Sequence, residues 1–318
     1  MTLVGAIDCG TNSIRLLIAN VSTEGVSPKL SDLHRRNTIV RLGQGVDATG
    51  WLAQEALNRT FAAVEDYARL LERSAVEAVR FVATSATRDA GNRQVFVDGV
   101  RSRLGIEPEV ITGDEEAMLT FRGASLVTPP TSVDDRVLVV DVGGGSTEFV
   151  LGSAEGILAS RSVDIGCVRM TERHLGSDPP TPSQQQAVLD DVDRALDHVM
   201  ETVPLGEART VVGVAGTVTT VAAQAMGLSG YDPERLNASV IDVEYIDQAC
   251  RELTRMTREQ RSLLPFMHPR RVDVIGGGAL VWRRIVERVT QETAGRIKSV
   301  TTSEHDILDG IALSVNEI

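Results

Sequence analysis

Two stretches of the chain repeat one pattern whose residue types suit phosphate and metal binding. GAIDCGTNS spans residues 5–13 and VVDVGGGST spans residues 139–147. In each, an apolar run ends in an aspartate, Asp8 or Asp141, and a glycine-rich turn with a hydroxyl residue follows. Glycine lets backbone N–H groups approach a phosphate, the hydroxyl adds a donor, and a strand-end carboxylate can hold a metal ion. Two copies predict a phosphate chain bound from both sides of a cleft.

The elements that must position these residues are those of two α/β domains. A length of 318 residues predicts about two domains. Hydrophobic residues make up 42% and aromatic residues only 3%, so the cores are expected to contain Val, Leu, Ile and Ala, as in parallel α/β sheets. A polar segment with two prolines predicts the boundary between residues 1–125 and 126–302. A C-terminal helix within residues 303–318 is expected to pack back on the first domain.

The hydrophobic periodicity predicts a similar order of elements in both halves. In the first half we predict strands at residues 3–7, 14–20, 37–42, 78–83 and 108–111, helices at 52–73, 95–104 and 112–125, and a loop or helix start at 84–88. In the second half we predict strands at 137–140, 149–151, 157–163, 211–214, 272–275 and 297–300, and helices at 183–199, 243–256, 281–290 and 304–315.

Charge and composition exclude several classes of protein. The formal charge of −12 argues against a broad nucleic-acid surface, which needs an excess of basic residues. A small polyanionic ligand would then need local arginines or a metal ion. Three cysteines are too few and too widely spaced for a disulfide framework or a zinc cluster. Because no signal peptide or membrane-spanning stretch is visible, we expect a cytoplasmic protein without a membrane partner.

Further motifs follow the first turn in a fixed order: Arg15, the TSATR loop at 84–88, ITGDEEA at 111–117, the second turn with Glu148, VDIGCV at 163–168, VAGT at 214–217 and the glycine-rich stretch 269–278. Together they resemble the exopolyphosphatase/guanosine pentaphosphate phosphohydrolase family of the actin-like superfamily. The resemblance covers the whole chain. It implies two actin-like (ribonuclease H-like) domains that flank a cleft.

The resemblance also implies a function, the hydrolysis of a terminal phosphoanhydride. The implied substrate is inorganic polyphosphate, cut from its end with release of orthophosphate. Longer members carry an extra helical region that is absent here, which favours short chains. Guanosine pentaphosphate, converted to the tetraphosphate, is the alternative substrate because it shares the triphosphate-like end. A homodimer is consistent with the family.

Two other classes remain as alternatives. A non-catalytic sensor of alarmone or polyphosphate would bind the same phosphates, but the presence of Asp8, Asp141 and Glu116 counts against it. A small-molecule kinase of the same superfamily would need an acceptor. Short sugar kinases often carry a cysteine-rich zinc motif, and this chain has none.

Glu116 is the predicted catalytic base. Thr112 and Glu115 match a capping box, in which Glu115 would reach back to the Thr112 N–H and leave Glu116 free to face the cleft. The resemblance independently places the family's base on the second Glu of Glu-Glu-Ala. The alternative is that these acidic residues only favour the helix N-terminus through its dipole. Glu148 competes for the role and is assigned, with Asp141, to positioning of water or metal.

The remaining predicted site residues bind metal or phosphate. The metal ligands are Asp8, Asp141 and Glu148, which suit Mg²⁺ as a hard cation, with Mn²⁺ as a substitute. The residues do not decide whether K⁺ assists. The predicted phosphate-binding residues are Gly10, Thr11, Asn12, Ser13, Arg15, Arg88, Gly143, Gly144, Gly145, Ser146, Thr147, Gly216, Thr217 and Arg271.

Overall fold

The chain divides into two α/β units, Met1–Gly123 with Ile307–Ile318 and Ala124–Asp306. The structure is a computed structural model and describes residues 2–22 and 29–315. The strands are β1 Thr2–Cys9, β2 Ser13–Ser22, β3 Lys29–Ile39, β4 Ala78–Ala83, β5 Glu109–Val110, β6 Val137–Val142, β7 Thr147–Ser153, β8 Gly156–Val163, β9 Thr210–Val214, β10 Val240–Asp242 and β11 Ser299–Thr302.

The helices connect and cover these strands. They are α1 Val46–Thr49, α2 Gln54–Ser74, α3 Ser85–Asp89, α4 Arg93–Leu104, α5 Gly113–Ala124, α6 Cys167–His174, α7 Pro182–Met200, α8 Ala215–Ala225, α9 Pro233–Leu236, α10 Val243–Arg255, α11 Arg258–Ser262, α12 Ile275–Glu292 and α13 Ile307–Ser314, with a 3-10 turn at Leu205–Glu207. Among the described residues, none of these helices has the length and apolar character required to cross a membrane.

The first unit is built around a mixed sheet in the order β3-β2-β1-β4-β5. Strand β1 pairs antiparallel with β2 and parallel with β4. Helix α2 covers one face, because Leu57, Phe61, Val64 and Leu71 recur at helical spacing and are buried. Helix α13 packs against β1 and β2. The carboxyl end of β1, where Asp8 lies, is thus held by strands on both sides.

The second unit repeats this arrangement. Its sheet has the order β10-β11-β9-β6-β7-β8, and β6 pairs antiparallel with β7 and parallel with β9. Strand β6 therefore occupies the place of β1, and Asp141 occupies the place of Asp8. Helix α12 fills the core with Trp282, which is 1% exposed. The α/β class predicted for both halves is confirmed.

One predicted strand is wrong. No strand forms at residues 272–275, because Ile275 begins α12 and the glycines that follow form its first turn. The packing explains why helix replaces loop there. A Cβ atom at Gly277 would lie 2.3 Å from Thr171 Oγ1, so glycine lets the first turn of α12 approach α6 closely.

Other elements begin earlier than predicted or were not predicted. Strand β3 starts at Lys29 rather than near residue 37 and is mostly exposed, so it lacks the apolar alternation that identifies a half-buried strand. Helices α6 and α8 were not predicted. Both begin in short motifs that were interpreted only as parts of the site.

Candidate active site

The first glycine-rich turn joins β1 to β2. It is closed by a hydrogen bond of 2.9 Å from Gly10 N to Ser13 O. The hydroxyls of Thr11 and Ser85 lie 2.8 Å apart and join the turn to α3. A Cβ atom at Gly10 would make only ordinary contacts, the nearest at 3.7 Å from Ser13 O. Packing within this unit therefore does not require glycine here, and its predicted role in letting a phosphate approach the backbone stays a prediction.

Asp8 and Arg15 form an ion pair directly beside this turn. They are cross-strand neighbours on β1 and β2, and Arg15 donates from Nε at 2.9 Å and Nη2 at 2.6 Å to Asp8 Oδ2. Asp8 is only 4% exposed, so its charge is stabilised by the guanidinium. The predicted metal ligand and the predicted phosphate-binding arginine are thus bonded to each other.

Glu116 and Arg88 form a second pair in the same unit. Arg88 Nη1 donates to Glu116 Oε2 at 3.0 Å and to the Ile111 carbonyl at 3.1 Å. Glu116 is 7% exposed. Burial raises the pKa of Glu116 to about 7, an increase that Arg88 opposes and the charge of Asp8 assists. The carboxyl can therefore accept or release a proton near neutral pH.

The structure corrects the capping box that was used to choose Glu116. The first half is present, because Glu115 N donates to Thr112 Oγ1 at 3.2 Å. The second half is wrong. The Glu115 carboxylate accepts from Arg80 Nη2 at 2.7 Å instead of reaching back to the backbone. Both glutamates are therefore bonded to an arginine, Glu115 to Arg80 and Glu116 to Arg88. They differ in burial, because Glu116 is buried and Glu115 is half-buried.

The second glycine-rich turn has the same backbone closure, from Gly143 N to Ser146 O at 3.1 Å. Helix α6 holds it from one side. Cys167 N donates to Gly143 O at 3.0 Å and Val168 N donates to Gly144 O at 2.9 Å. A Cβ atom at Gly166 would lie 2.4 Å from the Gly144 carbonyl, so only glycine fits where α6 begins.

Two arginines lie near this turn, Arg271, which was predicted as a site residue, and Arg169, which was not. Arg169 Nε donates to Gly145 O at 2.8 Å, a contact that sequence reasoning missed although Arg169 directly follows the VDIGCV motif. Arg271 Nη1 donates to Thr220 Oγ1 at 2.8 Å. A Cβ atom at Gly216 would lie 2.1 Å from Arg271 Nη2. Gly216 therefore lets the first turn of α8 pack directly on this guanidinium.

The first turns of α6, α8 and α12 meet behind the second turn. A Cβ atom at Gly278 would lie 2.8 Å from Thr217 Oγ1 and 2.9 Å from Cys167 Cβ. Helix N-termini carry partial positive charge and favour anions. The glycine run thus lets the first turn of α12 pack closely against α6 and α8. The sequence interpretation placed these glycines in a loop instead.

Asp141 and Glu148 form the acidic part of the second unit's site. They face each other across β6 and β7 and are 6% and 1% exposed. Glu148 Oε1 accepts from Ser162 Oγ at 2.8 Å. The Thr147 hydroxyl donates to the Ile165 carbonyl and is fully buried, an arrangement that favours a structural role for this side chain over its predicted phosphate contact.

The predicted metal ligands belong to different units. Asp8 lies in the first unit, and Asp141 and Glu148 lie in the second. Over residues 2–22 and 29–315, no group of three or more His, Cys, Asp or Glu side chains is arranged to hold a metal ion. The donor chemistry nevertheless fits a hard cation, because the paired Asp141 and Glu148 offer only carboxylate oxygens. Mg²⁺ binding stays a prediction.

Comparison with known proteins identifies relatives over the full chain. A protein from Mycobacterium tuberculosis named Exopolyphosphatase 2 is 52% identical over 99% of both chains. The crystal structure of an exopolyphosphatase-like protein matches with a TM-score of 0.94 at 44% identity and covers 98% of this chain and 97% of that chain. A protein from Photobacterium profundum named guanosine-5'-triphosphate,3'-diphosphate pyrophosphatase is 32% identical over 68% of this chain and 42% of its own length.

The solved relative shares the fold described above. The Ppx/GppA phosphatase family matches residues 18–315, and the two mixed sheets have the actin-like fold that the motifs predicted. The chain belongs to the Ppx/GppA phosphatase family.

Proposed function

We propose that this protein is an exopolyphosphatase, which hydrolyses the terminal phosphoanhydride of inorganic polyphosphate and releases orthophosphate. One observation carries the proposal. Glu116 is a buried carboxyl with a pKa near 7, and Arg88 holds it in the unit that carries the first glycine-rich turn. A general base works best when its pKa lies near the operating pH.

Each residue then has a role in the reaction. Glu116 accepts a proton from water as the water oxygen bonds to the terminal phosphorus. The bridging P–O bond breaks, and the shortened polyphosphate leaves with the electron pair. Backbone N–H groups at the first glycine-rich turn and the guanidiniums of Arg15 and Arg88 in the same unit stabilise the negative charge on the phosphoryl oxygens. Catalysis of this kind depends on positioning and electrostatics.

The metal requirement is part of the proposal. In the second unit, Asp141 and Glu148 would hold Mg²⁺ or Mn²⁺, and in the first unit Asp8 is the predicted metal ligand; the cation would neutralise phosphate charge. Asp141 and Glu148 would also orient water. A homodimer and a contribution from K⁺ stay predictions. All three cysteines are buried and free of disulfides, which supports the proposal of a reducing, cytoplasmic location.

Polyphosphate is favoured over guanosine pentaphosphate by the full-length relative that is named an exopolyphosphatase. The relative named for a guanosine substrate is less similar and matches part of the chain. A role in the stringent response would depend on activity toward that second substrate.

The test is phosphate release, with Mg²⁺ present, from short-chain polyphosphate, guanosine pentaphosphate and ATP. We expect the highest kcat/KM on polyphosphate. Glu116→Gln is the control, because it removes the base but keeps a side chain that can accept from Arg88. Release that persists in this variant would indicate a contaminating phosphatase, and faster release from pentaphosphate would contradict the substrate assignment.

A further inference from the structure

Arg41 follows β3 and has an unusual backbone conformation. Its φ is 52°, in the left-handed region that glycine adopts easily and that side chains with a Cβ atom rarely enter. Strained residues of this kind persist only where the surrounding structure enforces them, and they are concentrated at functional sites. Arg41 is outside the motifs from which the site was predicted.

Three backbone hydrogen bonds hold this segment to the first glycine-rich turn. Arg41 N and Val40 N both donate to the Asn12 carbonyl, at 2.8 Å and 3.1 Å, and Gly43 N donates to Thr11 O at 2.8 Å. A Cβ atom at Gly43 would lie 2.4 Å from Thr11 Cγ2. The segment 40–43 is therefore bonded directly to residues of the turn.

Helix α2 supports the segment from its other side. Arg59 Nε donates to the Val40 carbonyl at 2.8 Å, and Leu42 is fully buried in the core of the first unit. Arg41 itself is half-buried. The strained residue thus sits between a rigid helix and the turn, so its backbone has a fixed position.

The charges around the turn show why a further cation matters there. Arg15 is bonded to Asp8, and Arg88 is bonded to Glu116, so each guanidinium compensates a carboxylate of the same unit. A polyphosphate end brings additional negative charge, which must be neutralised on binding. Arg41 is a third arginine whose backbone lies at the same turn, because its N–H donates to the Asn12 carbonyl.

We propose that Arg41 is a substrate-binding residue whose guanidinium contacts the phosphates of polyphosphate at the first turn. Its left-handed backbone fixes the direction in which the side chain leaves the segment. The identity of the ligand rests on the proposed function, whereas the binding role of Arg41 does not require turnover.

The experiment measures binding and turnover separately. Short-chain polyphosphate is titrated by calorimetry into Glu116→Gln protein, with and without Arg41→Gln, and KM and kcat are measured for Arg41→Gln, Arg41→Lys and Arg41→Gly in the otherwise unchanged chain. Arg73→Gln is the matched control, because it removes the same charge from an exposed arginine on α2. The melting temperature of each variant monitors folding.

We expect Arg41→Gln to raise Kd and KM about 10- to 100-fold, because this is the usual cost of losing a hydrogen bond to a charged group. Lysine should recover part of the affinity. Glycine should bind as weakly as glutamine but melt no lower than the unchanged chain, since it relieves the strain. Arg73→Gln should stay within about twofold, because one surface charge is largely screened.

Unchanged Kd and KM in Arg41→Gln would overturn the proposal. Tight binding of polyphosphate in Arg41→Gly would also overturn it, because it would show that the backbone and not the guanidinium determines affinity. An absence of polyphosphate binding would overturn it too. Failure of the enzyme assignment is distinguishable: Arg41-dependent binding without phosphate release would contradict the exopolyphosphatase function and support the Arg41 site.

Discussion

The two glycine-rich turns have the same backbone closure but different side-chain surroundings. Gly10 N donates to Ser13 O at 2.9 Å and Gly143 N donates to Ser146 O at 3.1 Å. In the first unit, both buried carboxylates of the site are bonded to arginines. In the second unit, Asp141 faces a second carboxylate, Glu148, across the sheet. The two turns thus share one backbone geometry and differ in the charged side chains around it.

The glycines show the same divergence. A Cβ atom would lie 3.7 Å from the Ser13 carbonyl at Gly10 but 3.0 Å from the Ser146 carbonyl at Gly143. Helix α6 also begins directly against the second turn at Gly166. Internal packing therefore restricts the second turn to glycine more tightly than the first, where the predicted approach of a ligand is the remaining reason for glycine.

The largest expected effect tests whether Glu116, and not its neighbour Glu115, accepts the proton in the first unit. Glu116→Gln should lower kcat about 10²- to 10⁴-fold, the usual contribution of a general base, with little change in Kd for polyphosphate. Glu115→Gln is the matched control, because Glu115 contacts Arg80 and should keep kcat within a few fold. Steady-state kinetics and calorimetry measure both. Equal losses in the two variants would contradict the assignment.

The pH dependence follows from the pKa of Glu116, which burial raises to about 7. Because the base must be deprotonated, kcat/KM should fall about tenfold per pH unit below pH 7. Stability should change in the opposite sense. Between about pH 4.5 and pH 7 the folded state binds the extra proton, so the contribution of Glu116 to the free energy of unfolding decreases as pH rises.

A pH–rate profile and denaturant unfolding at several pH values measure these effects. Glu116→Gln is the control for the second, because it cannot titrate and should remove this component of the pH dependence. An acidic limb of the pH–rate profile centred near pH 4.5 would show that burial does not raise the pKa of the Glu116 carboxyl.

A pair of glycine substitutions compares the two turns directly. Gly166→Ala should destabilise the protein by about 1–3 kcal/mol, since its Cβ would overlap the Gly144 backbone. Gly10→Ala should leave the melting temperature nearly unchanged and raise KM, because only the ligand needs that space. Thermal melts and KM values test both. A stable Gly166→Ala variant, or an unfolded Gly10→Ala variant, would contradict the distinction.

The smallest expected effect concerns the hydroxyls of the second turn. Thr147→Val should lower the free energy of unfolding by about 1 kcal/mol, because the Ile165 carbonyl loses its donor, and should leave KM unchanged. Thr147→Ser keeps the hydroxyl and is the control. Ser146→Ala should instead raise KM. A raised KM in Thr147→Val at unchanged stability would restore the predicted phosphate contact.

The local pattern of apolar residues and glycines was sufficient to predict much of the fold. Strand β4 lies at the predicted residues, and the hairpin of β1 and β2 is confirmed, because apolar runs bounded by glycine specify buried strands without reference to the rest of the chain. Strand β3 was placed too late because an exposed edge strand lacks that pattern. The run 272–275 was misassigned because a short apolar segment before glycines is compatible with either a strand or a buried helix start.

The sequence by itself determined the duplicated strand-and-turn motifs, the family and the residues from which the site is built. Only the tertiary structure decided which of those residues are bonded to each other. The pairing of Asp8 with Arg15 depends on the register of β1 against β2, and the engagement of Glu115 by Arg80 depends on β4 lying beside α5. The contacts of Gly166, Gly277 and Arg41 are likewise made to residues distant in the chain. Periodicity and motif spacing record local preferences, whereas close approach between separate elements arises only when the chain is packed.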